Sequence, residues 1–214
     1  MAASKAAEVQ RVEIKPLNLK TLAITLVGDS ALITHKWSEK AKKEMLDKQM
    51  GITKVGKNLK NPEEDYWSSL YHFSDEQSKF IGHKEGNRYG FPAVAFKCAM
   101  ITAVTSVSSM TKVQARQCFY VMSDFKDMIE IHGVPTPRED MVRVGMGTAD
   151  IRFRAEFTKW KAVLRIKFNA DVISMDHLIN LLNIAGFGVG VGEWRSEKDG
   201  IYGAFQVEMT ENAA

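Results

Sequence analysis

The chain has 214 residues, 45% of them hydrophobic and 26% charged, with a formal net charge of +3. That length supports one domain with a real core, and the composition excludes a disordered, fibrous or repetitive protein. No apolar run is long enough to span a bilayer, the first ten residues hold no apolar signal core, and Cys98 and Cys118 lack metal or redox spacing. A soluble cytoplasmic protein with two buried thiols is the expectation, with no membrane partner.

Residues 1–15 offer no apolar periodicity and are expected to form a loose arm before a single domain over 16–214. Leu22, Ile24 and Leu26 alternate with Thr21, Ala23 and Thr25, which predicts a half-buried strand that Gly28, Asp29 and Ser30 break. A short strand to His35 follows. Ser38 is placed to cap a lysine-rich helix through about Met50, and Asn61 with Pro62 and Glu64 predicts a second helix running to about Phe73. The polar character of residues 36–90 makes them an insertion after the first strand rather than a second domain.

Pro92 opens the most apolar helix, Ala93 to Val107, and a shorter helix is expected from Lys112 to Val121, then a strand from Met128 to Ile131. Residues 132–150, rich in Pro, Arg and Gly, predict a long hairpin or finger. Ile151, Phe153 and Phe157 alternate with Arg152, Arg154 and Glu156; after them Trp160, Ala162, Leu164, Ile166 and Phe168 oppose Lys161, Val163, Arg165 and Lys167. The second run therefore has a core face and a basic face. Ser174 caps an amphipathic helix that Gly186 is expected to end in the left-handed conformation, and a last strand follows near Ile201 to Met209. Without the insertion the order is strand, helix, strand, strand, helix, strand. That is the ferredoxin-like or RRM-like α+β plan, an antiparallel sheet with two helices on one face and the other face free for binding.

Charge is distributed unevenly. Lys36, Lys40, Lys42, Lys43, Lys48, Lys54, Lys57 and Lys60 crowd one stretch, Glu63, Glu64, Asp65, Asp75 and Glu76 reverse the sign, and a second basic zone runs from Arg138 to Lys167. Such blocks are either a phosphate footprint or a solvated face. The glycines from Gly186 to Gly192 close a helix instead of opening one, which argues against a dinucleotide or P-loop site. Two readings stay open for them: a C-cap with a close-packed loop, or a backbone that approaches phosphate directly, with Trp194 and Arg195 at its far end. The five histidines have no metal-cage spacing, and no paired acid-base constellation or nucleophile motif is present, so neither an enzyme nor a cofactor or metal is expected. His35, ending a strand beside Lys36, is the one candidate base. Trp160 belongs to the core by its parity, whereas Trp37, Trp67 and Trp194 lie in polar stretches, each open to base stacking or protein contact.

Leu22 to His35 resembles the first strand and turn of the RAMP superfamily, and Gly188 to Ser196 with Gly200 to Phe205 resembles its glycine-rich loop and final strand. The resemblance implies the RRM-like fold of the CRISPR backbone subunits that polymerise along a guide RNA. It also implies that the insertion at 36–90 and the finger at 132–150 touch nucleic acid. The whole chain, including His35 to Ala41 and Arg138 to Asp140, is also similar to proteins of tailed phages and prophages, a likeness that implies no activity.

The reading that follows is a non-enzymatic binder of single-stranded DNA or RNA that self-associates along the strand through phosphate contacts. Its expected contacts are Lys36, Lys42, Lys43, Lys54, Lys57, Lys60, Arg143, Arg152, Arg154, Lys161, Arg165 and Lys167, with Gly188 and Gly190 approaching the strand and Trp194 and Arg195 stacking beside it. Two alternatives remain, a phage assembly protein whose loops contact neighbouring subunits and a metal-independent RNase using His35.

Overall fold

The computed structural model describes residues 14–52, 59–79, 81–84, 86–107, 109–145 and 147–208. In chain order the elements are β1 (Leu19–Gly28), β2 (Leu32–Thr34), α1 (Glu39–Gln49), α2 (Pro62–Ser69), β3 (Tyr71–His72), β4 (Tyr89–Pro92), α3 (Ala93–Ala103), α4 (Lys112–Cys118), β5 (Phe119–Met122), β6 (Met128–His132), β7 (Pro135–Val144), β8 (Thr148–Phe157), β9 (Lys161–Asn169), α5 (Met175–Gly188) and β10 (Phe205–Val207). Helix starts follow their caps: the Ser38 hydroxyl accepts from the Ala41 amide, the Asn61 side chain from Glu63 and Glu64, and the Ser174 hydroxyl from His177.

Period-two burial sets the main sheet. Leu22, Ile24 and Leu26 of β1 lie opposite Ile166, Leu164 and Ala162 of β9, so one face of the pair is apolar, while Thr21 and Ala23 face Lys167 and Arg165 on the other. β10 pairs with the far edge of β1; β9 takes β5 and β6 end to end along its own far edge, and β4 and β3 continue outward from β6. The named strands all pair antiparallel, and the run β10, β1, β9, β6 is the fourth, first, third, second order of an RRM-like α+β fold. α3 and α5 pack on each other over the apolar face, burying Phe96 and Met100 from one and Leu178, Leu181 and Leu182 from the other. The opposite face, with Lys161, Val163, Arg165 and Lys167, is open.

β8 lies outside this sheet, at the centre of a second one, β2, β8, β7. β7 and β8 form a hairpin where a finger is expected over 132–150, but it includes the alternating run to Phe157 as well: it is paired from Pro135 opposite Phe157 out to Val144 opposite Thr148, with Gly145 and Gly147 in positive-φ backbone at the tip. β2 contributes Leu32, Ile33 and Thr34, all buried. The stretch from 36 to 90 also gives Trp67, Leu70 and Tyr89 to the common core and two strands to the main sheet.

Several boundaries differ from expectation for identifiable reasons. α4 stops at Cys118, because Phe119 and Val121 alternate into the core as a strand. α3 gives way to a 3-10 turn at Val104, and α2 ends at Ser69 rather than Phe73, whose backbone amide instead donates to Arg88. α5 runs two residues beyond Gly186, which is helical and buried: a β-carbon there would stand 1.7 Å from the Phe205 carbonyl oxygen. Gly186 thus permits α5 to lie on β10, and it is Gly190, at φ 72°, whose amide closes the helix on the Ala185 carbonyl. Of the two thiols, Cys118 is buried but Cys98 is exposed, on the outer side of α3.

Trp67 is 5% exposed, which removes it as a stacking platform; its ring centroid lies 4.6 Å from that of His72, itself 7% exposed. The His72 Nε2 lies 3.0 Å from the Trp67 carbonyl oxygen, an acceptor only, so Nε2 carries the proton. Burial pushes the imidazole below its ordinary 6.5, more than this bond raises it. The unfolded chain therefore takes up a proton as pH falls through 6.5 while the folded chain resists, and folding stability declines with acidification from that point. Melting temperatures measured from pH 8 downward should begin to fall below about 6.5, and His72→Phe should flatten that limb; an unaltered limb in the variant would place the titration elsewhere.

Candidate nucleic-acid interface

The glycine loop is built against β2 and β8. Val191 donates to the Gly203 carbonyl at 2.9 Å and Glu193 to the Ile33 carbonyl at 3.0 Å, and Gly203 in turn donates to Ala31 at 2.8 Å. Gly192, at φ 85°, passes so near β2 that a β-carbon would stand 2.6 Å from the Ile33 oxygen. The amides of residues 189, 190, 191 and 193 are spent inside the fold, so of the two readings of this run the C-cap and close-packed loop is the one present. Gly188 lies in the helix with open space around it.

Behind the loop sits an ionic cluster. Arg154 is 2% exposed; its Nη1 donates to Asp140 at 3.3 Å, its Nη2 is 3.8 Å from Glu193, and the Trp194 ring covers it at 5.2 Å. Arg138 donates to Asp140 at 2.8 Å, to Glu156 at 2.9 Å and to the Tyr202 hydroxyl at 3.0 Å. Arg195 forks onto Glu197 and the Gly192 carbonyl, and His35 lies 3.5 Å from Glu193. The Glu193 carboxyl is held below the usual carboxylate range by His35 first and Arg154 next. Arg154 is therefore an internal charge and not a surface contact: its β8 parity matches Arg152, but Trp194 closes over it. Trp194 and Arg195 also face inward partners, and a 370 Å³ cleft bounded by His35, the loop and α3 presents both signs of charge.

The exposed tryptophan lies elsewhere. Trp37 is 56% exposed, and it is pinned from both sides: the Lys36 amide donates to the Ser69 carbonyl at 3.0 Å, and Ser38 caps α1. It forms a wall shared by two clefts. One, of 480 Å³, runs toward the finger and is bordered by Lys36, Lys60 and Arg152 as well as Asp65 and Asp150. The other, of 500 Å³, lies under α1 and is bordered by Glu39, Glu64, Asp65 and Asp75 against Lys36 and Lys40. Lys60 donates to Asp150 at 2.7 Å and to the Ile151 carbonyl, and Arg152 reaches the same carboxylate at 3.4 Å. Partial burial lowers the Lys36 ammonium from its ordinary range.

The remaining expected contacts are dispersed. Lys42 pairs with Glu39 at 2.6 Å on α1, where Lys43 is exposed; Arg143 is exposed near the finger tip; Lys54 and Lys57 lie outside the described residues. On the open sheet face Lys161 pairs with Glu208 and Arg165 with Asp124 at 2.7 Å, leaving Lys167 beside the exposed Tyr120. In the sequence Asp65 stands only as one member of an acidic run and Tyr120 only as part of an expected helix, and neither carries a local mark of a binding site. Among the described residues no helix is long and apolar enough to cross a membrane, and no three His, Cys, Asp or Glu side chains are grouped to hold a metal ion.

No protein-family model and no curated protein matches the chain. Among solved structures it is similar to a chain of the type III-B Cmr-β complex bound to cognate target RNA, at 13% identity and a TM-score of 0.49, over 90% of this chain and 60% of that one. It is also similar to Cmr6 from Pyrococcus furiosus, at 8% identity and a TM-score of 0.42, over 90% of this chain and 99% of the other. This chain thus spans 60% of the length of the first neighbour.

The two glycines proposed to approach a strand should behave differently on substitution. Gly190→Ala forces a side chain into left-handed backbone and should destabilise the fold by about 1 kcal/mol. Gly188→Ala should be neutral or stabilising by up to about 0.5 kcal/mol through helix propensity. Chemical denaturation of the two single variants checks this; equal effects would contradict the assignment of the helix end to Gly190.

Proposed function

We propose that the protein binds single-stranded nucleic acid, DNA or RNA, at the paired clefts around Trp37. The observation that carries this reading is an indole 56% exposed at the lip of a concave surface that also holds Lys36, Lys60 and Arg152. An aromatic wall supplies stacking that accepts any base, and cations at its side supply phosphate contacts. The ion pairs of Lys60 and Arg152 with Asp150 do not oppose this, because exposed pairs contribute only about 0 to 1 kcal/mol and are exchanged readily for phosphate. The lysines of α1 and Arg143 near the finger tip extend the track beyond one nucleotide. Copies of the protein then self-associate along a strand longer than one footprint, and Phe187, 87% exposed at the end of α5, is an apolar anchor for such a contact.

Fluorescence anisotropy on a labelled oligonucleotide across a salt series tests the site. Trp37→Ala should weaken binding by about 1 to 3 kcal/mol, and Lys60→Ala should lower the salt slope by about 0.7. Binding that ignores both changes would remove the clefts from the interface, and nucleic-acid-free oligomers that bind no strand would favour the assembly reading.

Within this proposal the strand is held and not cut. His35 is engaged with Glu193 in the network that ties β2 to the glycine loop, a sufficient role without chemistry. Single-stranded RNA incubated with the protein should run intact on a denaturing gel; cleavage that disappears in His35→Ala would overturn this in favour of a metal-independent RNase.

A further inference from the structure

The two clefts flanking Trp37 differ in lining, with Lys36, Lys60 and Arg152 against two carboxylates on the finger side and more carboxylates than ammonium groups on the other, and Asp65 is among the residues they share. It borders both clefts together with Lys36, is half-buried, and its carboxylate has no hydrogen-bond or ion-pair partner among the described residues. Glu39 and Asp75 in the same region are both held, by Lys42 and Lys126. A carboxylate in a cleft with no donor among the described residues is free to accept from a ligand, and this one stands beside the exposed Trp37 indole.

Resting on the reading of Trp37 as a stacking platform, we propose that the clefts divide one nucleotide by chemistry. The phosphate lies on the finger side, against Lys36, Lys60 and Arg152, where charge favours it. The base stacks on Trp37 and turns into the acidic side, where Asp65 accepts a hydrogen bond from an exocyclic amino group. Glu39 and Asp75 are answered by Lys42 and Lys126, so the carboxylates on that side without a partner among the described residues are Glu64 and Asp65; at the Asp65 edge a hydrogen-bond donor is accepted and a carbonyl is repelled. Cytosine, whose N4 is a donor, is therefore taken in preference to uracil, which presents the O4 acceptor in the same place and is otherwise the same size and shape. The preference belongs to one base per protein copy and coexists with stacking and phosphate contacts that tolerate any sequence.

The test compares oligo-dC with oligo-dU of equal length at pH 7.5, using wild-type protein, Asp65→Asn and Trp37→Ala. Asparagine keeps the shape and offers both a donor and an acceptor, so it removes the discrimination and keeps the fold. The expected result is about tenfold tighter binding of oligo-dC by wild type, falling to threefold or less in Asp65→Asn through a gain for oligo-dU. Equal affinities in wild type, with Trp37→Ala still weakening both, would overturn the base preference and leave the binding site in place. A preference that survives Asp65→Asn would overturn the role of Asp65. Binding unaffected by Trp37→Ala, or no binding at all, would overturn the site itself and this inference with it.

Discussion

A guanidinium group removed from water must be met by opposite charge or the fold that buries it is lost, and Arg154 is such a group. Asp140 on β7 and Glu193 on the glycine loop meet it, while Trp194 seals it from above. Two parts of the chain, β7 and the loop after α5, are obliged to converge on one side chain of β8, and His35 ties the end of β2 to them through Glu193. Removing Asp140 alone would leave the charge with only Glu193, 3.8 Å away, which is why the finger, the loop after α5 and the end of β2 are best understood as one unit. The left-handed backbone of Trp194, uncommon for a bulky residue, is sustained by the same convergence: its carbonyl accepts from Tyr202, whose ring packs beside it and under Arg138.

That unit also fixes the proposed interface. β2 is held by Gly192 and Glu193 on one side and by β8 on the other, so the chain leaving it delivers Lys36 and Trp37 at a defined place above α2. The Asn61 cap sets the start of α2 and hence the position of Asp65. The stacking surface and the unpaired carboxylate are therefore carried on segments with little freedom of their own, as a binding site requires if ordering costs are to stay low.

Local physics made much of this legible in the sequence. The alternation of β9 predicts its buried and basic faces residue by residue, and the Ser38, Asn61 and Ser174 caps sit where their hydrogen-bonding chemistry places them. What escaped was set by tertiary packing. Gly186 carries the local mark of a helix end, yet it is small because Phe205 crosses there; Trp67 lies among polar neighbours, yet its helix face packs on β8. Arg154 shares its parity with Arg152 and is separated from it only by a lid supplied from forty residues downstream. For the site, Lys36, Lys60, Arg152 and the ambiguity of Trp37 were readable, whereas the convergence of α1, α2 and the finger around that indole belongs to the three-dimensional structure alone.

The central position of β1 bears on how the protein is made. Leu26 pairs with Ala162 on one side and with Val207 on the other, so the first of the described strands waits during synthesis for the last two before its edges are satisfied. Until then its Leu and Ile residues and its unpaired backbone are available to other chains. Long-range pairing of this kind slows folding and leaves nascent polypeptides prone to association. Expression at lowered temperature or with chaperones present is the physical remedy, because both lengthen the time an unpartnered strand survives without finding the wrong neighbour.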